Sequence, residues 1–435
     1  MEWGERTGPA RGGSETTLPS RKRVAALSSF SPTGNLTNYG TIINSGNLWT
    51  NENDQLLNYG TINNSGTMGI GYTANLINDG TLNNSGTIQS GNFAANLSNN
   101  GTLNNTDTIT ITEGLGNTST INNTGTCTNS GDGRNIGTFN NSGTFSEIGG
   151  NTGLINNSGT LTYGYGENLG TIINSGTFNT TGTIGNFPLD NYGTIDNRGT
   201  LNNILGAYLT NSGTLNNSGT LNNAGTINNT GAFMNSGAVT ISSSGLFTTS
   251  TNYMQTGGST LVNGTLTATG SAIVNIQGGT LGGIGTINGN VAMGGTLTPG
   301  ALGAPGAITI FGNYEQTGNG TFDELIGPGS HSFLDVSGNV SLDSGAFLDI
   351  TLLDGYDPLN QTFSIMDFAF LNGQFANGSA FWEDGYLWDI TYRQHEDDVT
   401  AVKAPEPSSL VLLLIGLAAL SFYTHRKMDK TQRLA

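Results

Sequence analysis

The sequence predicts an all-β chain wound as a parallel β-helix, a β-solenoid, and three observations carry that expectation. A unit of the form Gly-Thr-[Leu/Ile]-Asn-Asn-[Ser/Thr]-Gly recurs from Asn38 onward, for example as Gly60-Thr61-Ile62-Asn63-Asn64-Ser65-Gly66 and Gly80-Thr81-Leu82-Asn83-Asn84-Ser85-Gly86. Its leading glycines fall at Gly40, Gly60, Gly80, Gly101, Gly137, Gly153, Gly170, Gly193 and Gly213, with Ser119 standing in for one, and they lie mostly sixteen to twenty-three residues apart. A fixed period of that size marks a solenoid. The third observation is negative: Gly and Asn are poor helix formers, and no 3.6-residue apolar period runs through the repeats.

Residues 1–33 come first. They hold Arg21-Lys22-Arg23 followed only by Val24-Ala25-Ala26-Leu27, too short for the apolar stretch of a secretory leader. They are read as a disordered or mis-assigned N-terminal segment. Residues 34–310 are the coils. Each six-residue block supplies one short strand, with Leu, Ile or Phe inward and Thr outward. From Gly213 to Gly237 the glycines recur every six residues. Three such faces make a coil near twenty residues. Gly, and next Asn, tolerate the positive φ expected at corners. Stacked coils place like residues about 4.8 Å apart, so Asn columns are expected to form hydrogen-bonded ladders. One coil cannot bury its own apolar face, so stability grows by stacking.

Residues 311–399 read as a β-rich acidic cap that closes the solenoid and blocks edge-to-edge association. Phe333-Leu334-Asp335-Val336, Phe347 to Leu353 and Thr362 to Met366 read as strands, and Tyr356 to Asn360 as a turn. Phe381, Trp382, Trp388 and Tyr392 are expected to fill a larger core. Residues 400–409 form a linker containing Pro405-Glu406-Pro407, residues 410–424 a single apolar helix, and residues 425–435 a basic end with Arg426 and Lys427. Fourteen helical residues reach about 21 Å against a hydrocarbon core of about 30 Å, so the segment spans only with its flanks and little tilt. The basic end then stays cytoplasmic, and the large N-terminal part lies outside.

Composition excludes several functions. The formal charge is −17 with a pI near 4.3, and between Val24 and Tyr392 the only basic residues are Arg134 and Arg198, so no nucleic-acid surface can be built. Cys127 is the one cysteine, which rules out an internal disulfide framework; it is read as a small apolar packing residue. Fifteen of the 30 acidic residues lie between Glu315 and Asp398. Asp323-Glu324, Asp354 with Asp357, Glu383-Asp384 and Glu396-Asp397-Asp398 supply oxygen ligands of the kind calcium takes. No Asp-x-Asp-x-Asp-Gly loop is present, and a solvated acidic surface is the plainer reading. His331, His395 and His425 lack metal-ligand spacing. Asp196 and Arg198 read as a surface ion pair. No catalytic, cofactor-binding or metal-binding set is assigned.

The order Pro-Glu-Pro, apolar stretch, basic stop over Pro405 to Lys427 resembles the PEP-CTERM sorting tail of Gram-negative bacteria. The resemblance implies recognition and processing by an exosortase-type enzyme, membrane anchoring during export and a final place at the cell surface. In such systems extracellular polysaccharide is a frequent neighbour. Residues Tyr253 to Phe375, with Gly278-Gly279-Thr280-Leu281-Gly282-Gly283, are similar to the passenger repeats of autotransporter-type β-helices. The expectation for function is a non-enzymatic structural or adhesin-like rod that shows rows of Thr, Ser and Asn to glycans. The rivals are a β-helix polysaccharide lyase or hydrolase, which requires a carboxylate cluster on one face of the stack, and a plain anchored protein whose tail stays uncut.

Overall fold

Each Thr-Leu-Asn-Asn tetrad forms a four-residue strand because its side chains alternate correctly for one buried and one wet face. In Thr81–Asn84 the burial alternates, with Leu82 and Asn84 inside and Thr81 and Asn83 facing out. Ser85-Gly86 bends the chain into the next strand, Thr87–Ser90. Three strands and three bends complete a coil, and the stacked coils make three parallel sheets along a rod. Register is strict: Thr81 pairs with Thr61 before it and Thr102 after it, Leu82 with Ile62 and Leu103. In this computed structural model the described residues are 34–402 apart from 92–93, 147–148, 182–187 and 302, together with the backbone of Thr16–Leu18, Arg23–Val24 and Ser29–Phe30. The tail segments 403–409, 410–424 and 425–435 lie outside the described residues. Among the described residues no helix is long and apolar enough to cross a membrane.

A minimal coil is three hexads. Asn117 and Asn135 occupy equivalent positions 18 residues apart. Coils of 20 residues, such as Asn58 to Asn78, carry their extra residues at the bend between the third sheet and the first, as in Gly71–Ala74. The same bend holds Ile204–Ala207. The inserted turns use left-handed backbone at Asn53, Thr73 and Gly206.

The repeat glycines answer a different need from the one expected. Gly60, Gly66, Gly80 and Gly86 do not have positive φ. A Cβ on Gly80 would overlap the carbonyl oxygen of Gly60, and one on Gly86 that of Gly66. Backbone stacks on backbone at these corners, with the Thr87 amide donating to Gly66 O at 2.9 Å. Glycine is required there for close approach.

Aliphatic columns fill the rod's axis: Ile62, Leu82, Leu103 and Ile121 stack in the second sheet, each at most 1% exposed. Cys127 packs between Ile109 and Phe145 in the third sheet, buried as expected. Where aromatic residues enter from several sheets they meet at the centre, as do Phe233, Phe247 and Tyr253 with ring centroids 4.8–5.4 Å apart. The fourth residue of the tetrad is also inside. Its Asn forms two buried ladders, one from Asn38 to Asn229 after the first sheet and one from Asn44 to Asn235 after the second. Asn84 is typical: Nδ2 donates to Asn105 Oδ1 at 2.7 Å, to Thr108 O at 3.0 Å and to Gly86 O at 2.8 Å, while Oδ1 accepts from Asn64 Nδ2 at 2.7 Å. An amide carries both a donor and an acceptor, so the chain of bonds propagates from coil to coil, each inner Asn bonded on both sides until the ladder's ends. Thr249 and Gln255 accept the last bonds of the two ladders. Half of the asparagines expected on the rod's surface therefore lie within it.

Parallel stacking continues past residue 310. Ala307–Phe311 carries Phe333–Val336, Tyr314–Gln316 carries Asn339–Leu342, and Thr321–Gly327 carries Phe347–Leu352. The segment expected as a separate cap thus begins as further coils with a heavier interior of Tyr314, Phe322 and Leu334. The change comes at Thr362–Asp367, against which Glu396–Val402, Tyr386–Tyr392 and Ala380–Glu383 build an antiparallel meander. Trp388 and Phe381 face each other across that ribbon, with Trp388 fully buried. Alternation turns Trp382 outward, 57% exposed, so it does not join the core as expected.

Candidate functional site

Most of the outward surface of the second sheet is an uncharged polar array. Thr61, Thr81, Thr102, Thr120 and Thr138 stand in one row, and Asn63, Asn83, Asn104, Asn122, Asn140 and Asn156 in the next. The outer asparagines form a ladder of their own, with Nδ2 donating to the preceding coil's Oδ1 at 2.8–2.9 Å. A shallow groove of about 300 Å³ runs beside it, lined by Ile43, Asn63, Asn83 and Asn104 on one side and Ser65, Ser85 and Thr106 on the other. One N–H and part of the carbonyl capacity of each outer amide remain free for an external partner. The array offers many weak, regularly spaced hydrogen bonds and no reacting group.

Charge enters this face at Asp196 and Arg198. Arg198 Nε donates to Asp196 Oδ2 at 2.9 Å and Nη2 to the same oxygen. The guanidinium side is 59% exposed, so the pair contributes little to stability.

The acidic residues near the C-terminal end fall into separate arrangements. Asp323 and Asp349 sit in register on the third sheet. Asp323 accepts from Thr298 Oγ1 at 3.0 Å and Thr351 Oγ1 at 3.3 Å, and partial burial raises its carboxyl. Glu383 shares a hydrogen bond with Asp349; burial and that bond push its carboxyl up to about 7. Glu383 Oε2 also accepts the Ile350 amide at 2.9 Å, and Asp384 Oδ2 the Leu352 amide at 3.3 Å. Asp357 accepts from Tyr386 Oη at 2.8 Å, whereas Asp354 occupies a left-handed turn position. Arg393 bridges Glu396 and Asp398. His331 meets Ser364 O and His395 meets Ala369 O, each through one ring nitrogen; His425 lies outside the described residues. Among the described residues no three His, Cys, Asp or Glu side chains are placed to hold one metal ion.

Two carboxyls named in the sequence as candidate calcium ligands, and more plainly as part of a solvated acidic surface, are buried instead. Glu324 is enclosed between the coils without a well-formed hydrogen bond. Burial holds it well above the usual carboxylate range, and the Ser332 backbone amide offsets part of the rise. Asp397 is likewise enclosed, and burial followed by repulsion from Asp398 pushes it up to about 7. The signal was present: Glu324 shares parity with Phe322 and Ile326, and Asp397 with Val399 and Ala401, all inward positions.

At the chain's end one comparison is decisive. Residues 403–427 match the PEP-CTERM protein-sorting motif. Pro405, Glu406, Pro407, Arg426 and Lys427 all fall inside the matched range. The PEP-CTERM signal indicates export and sorting to the cell surface, typically in Gram-negative bacteria, and implies exosortase-type processing with membrane anchoring. No curated protein matches the chain.

Proposed function

We propose that the chain is a surface-displayed, non-enzymatic β-solenoid that acts as a structural or adhesin-like element in extracellular polysaccharide. The observation that carries this reading is the neutral Thr/Asn array of the second sheet, held on a rod whose C-terminal residues carry the PEP-CTERM motif. In this reading the apolar residues 410–424 hold the chain in the membrane during export, and Arg426 and Lys427 keep its end cytoplasmic. An exosortase-type enzyme reads Pro405, Glu406 and Pro407. The rod then works passively, as autotransporter-type passengers do, by presenting its face. Each hydroxyl or amide contact to a sugar is weak, and repetition along the stack supplies retention by avidity. Full-length protein mixed with the host's extracellular polysaccharide is expected to co-sediment with it. Replacing Asn63, Asn83 and Asn104 together by Glu, which charges the array and leaves the buried ladders intact, is expected to release it. Wild-type protein that stays in the supernatant refutes the reading.

A polysaccharide lyase or hydrolase is a second reading, favoured by one observation. Asp323, Asp349 and Glu383 come together at the end of the third sheet, with one carboxyl raised to about 7, the range of a general acid. That reading requires new chain ends in a polysaccharide digest and their loss in Glu383→Gln.

A further inference from the structure

The outer surface of the third sheet departs from the repeat in its first coils. In one outward row Trp49 pairs in register with Gly69, Gly69 with Gln89 and Gln89 with Thr110. Trp49 covers the space that the missing side chain of Gly69 leaves. A Cβ on Gly69 would overlap three contiguous atoms of the indole's six-membered ring, Cδ2, Cε3 and Cζ3, at nearly equal distances. Near-equal distances to contiguous atoms mean that the ring's face, not its edge, lies over Gly69. One face of the indole is therefore seated on backbone. The residue is still 37% exposed, so the opposite face is open to solvent.

Gln89 stands one strand spacing, about 4.8 Å, beyond the glycine that seats the ring. Among the described residues its carboxamide has no hydrogen-bond partner. The outer asparagines of the second sheet are tied to one another, whereas this amide keeps both N–H donors and its carbonyl free. The face is also neutral: from Asn47 to Thr128 no charged residue stands on its outward rows. The bends beside it carry Glu52, Asp54 and Asp107, and no Lys or Arg occurs between Arg23 and Arg134.

We propose that Trp49 and Gln89 form a subsite for one ring of a neutral, hydroxylated polysaccharide, with the sugar's C–H face on the open side of the indole and its hydroxyls on the Gln89 amide. This subsite rests on the glycan-binding reading above and gives it a contact residue and a ligand class. Three observations select the occupant. An aromatic face is electron-rich and takes flat partners whose C–H bonds are slightly positive. The free amide beside it offers donor and acceptor together, which is what hydroxyl groups match. The acidic bends and the lack of a nearby cation disfavour an anionic chain.

The test titrates full-length wild type with cellohexaose, mannohexaose, hexagalacturonate and phosphatidylcholine vesicles, followed by calorimetry and tryptophan fluorescence. At least one neutral hexaose is expected to bind and to shift the fluorescence. Trp49→Ala is expected to weaken that binding about tenfold, and Gln89→Ala by a smaller factor. Binding in Trp49→Ala equal to wild type overturns the proposal, because the indole then only shields the Gly69 backbone. No response to either neutral hexaose overturns it too, as does a Trp49-dependent response to hexagalacturonate or vesicles alone. If Trp49→Ala loses its β-sheet circular dichroism, Trp49→Leu decides by the same titration, since it keeps an apolar cover over Gly69 without an aromatic face. Co-sedimentation with the host polysaccharide separates this site from the second-sheet array. Wild-type pelleting, together with hexaose binding that Trp49→Ala leaves unchanged, overturns this site and keeps the array. Hexaose binding through Trp49 without pelleting keeps the site and overturns the polysaccharide role.

Discussion

Adjacent residues of the same type, Asn83 and Asn84, offer a sharp test of how the rod is built. Asn84→Ala removes an amide that is 1% exposed and bonded on both sides. It leaves Asn105 Oδ1 unpaired inside the rod, takes one of three acceptors from Asn64 Nδ2, and removes the donor shared by Thr108 O and Gly86 O. A buried polar group left unpaired costs about 1–3 kcal/mol. Gly86 O keeps the Thr108 amide, and Asn64 Nδ2 keeps its bonds to Gly66 O and Thr87 O, so the loss falls mostly on the two ladder bonds. The total expected is about 3–4 kcal/mol. Asn83→Ala breaks two ladder bonds as well, to Asn63 and Asn104, but both partners face water and re-solvate. Its cost is expected to stay within about 0.5 kcal/mol. A solenoid need not unfold in one step, so amide hydrogen exchange of the coils containing Asn64, Asn84 and Asn105 is the assay, supported by urea unfolding. Exchange in those coils should accelerate by two orders of magnitude or more in Asn84→Ala and change little in Asn83→Ala. Equal effects, or a larger effect at Asn83, refute the inward ladder and the register with it.

Other outcomes follow from the same geometry. Gly80→Ala is expected to lower stability by about 3 kcal/mol or more, because the new Cβ meets Gly60 O; Gly206→Ala, at φ +80 with open space around it, should lose about 1 kcal/mol in the same thermal melt. Burial pushes the Cys127 thiol up to about 12, so a thiol reagent at neutral pH should label it only after denaturation. Asp397, Glu383 and Glu324 have folded pKa values above their unfolded ones, so each adds stability in acid that is lost as pH rises through its folded pKa. For Asp397, raised from 3.8 to about 7, the loss between those values approaches about 4 kcal/mol. Protection of the C-terminal coils, taken relative to the intrinsic exchange rate at each pH, should therefore fall between about pH 4 and 7, and Asp397→Asn should flatten that slope while the coils around Asn84 show none.

The coil was legible because Leu, Ile and Phe recur at one parity of a fixed unit. The same parity places Asn84 beside Leu82 on the inner face, yet polarity alone argued for the surface; only the stacking of amide on amide shows why an inward Asn is stable. Gly80 was legible as a corner but not as a close contact, since the clash is with a residue one coil away. The boundary at residue 311 misled because aromatic enrichment begins there while the parallel pairing of the coils runs on to Phe370–Gly373. The roles of Glu383 and Asp384 were hidden for a related reason. An edge amide's partner is set by where the chain returns in space, and an acidic pair in sequence looks like any solvated one. The three-part order of the tail was legible outright, and residues 403–427 match it.

Delivery of this rod to the cell surface is tested by the mass of the protein recovered there. Intact mass spectrometry of protein released from the surface of the producing cells is expected to show a chain shortened by its C-terminal tail, with Pro405→Ala/Glu406→Ala/Pro407→Ala accumulating uncut in the membrane fraction. Full-length protein confined to the cytoplasm, unchanged by that substitution, contradicts it.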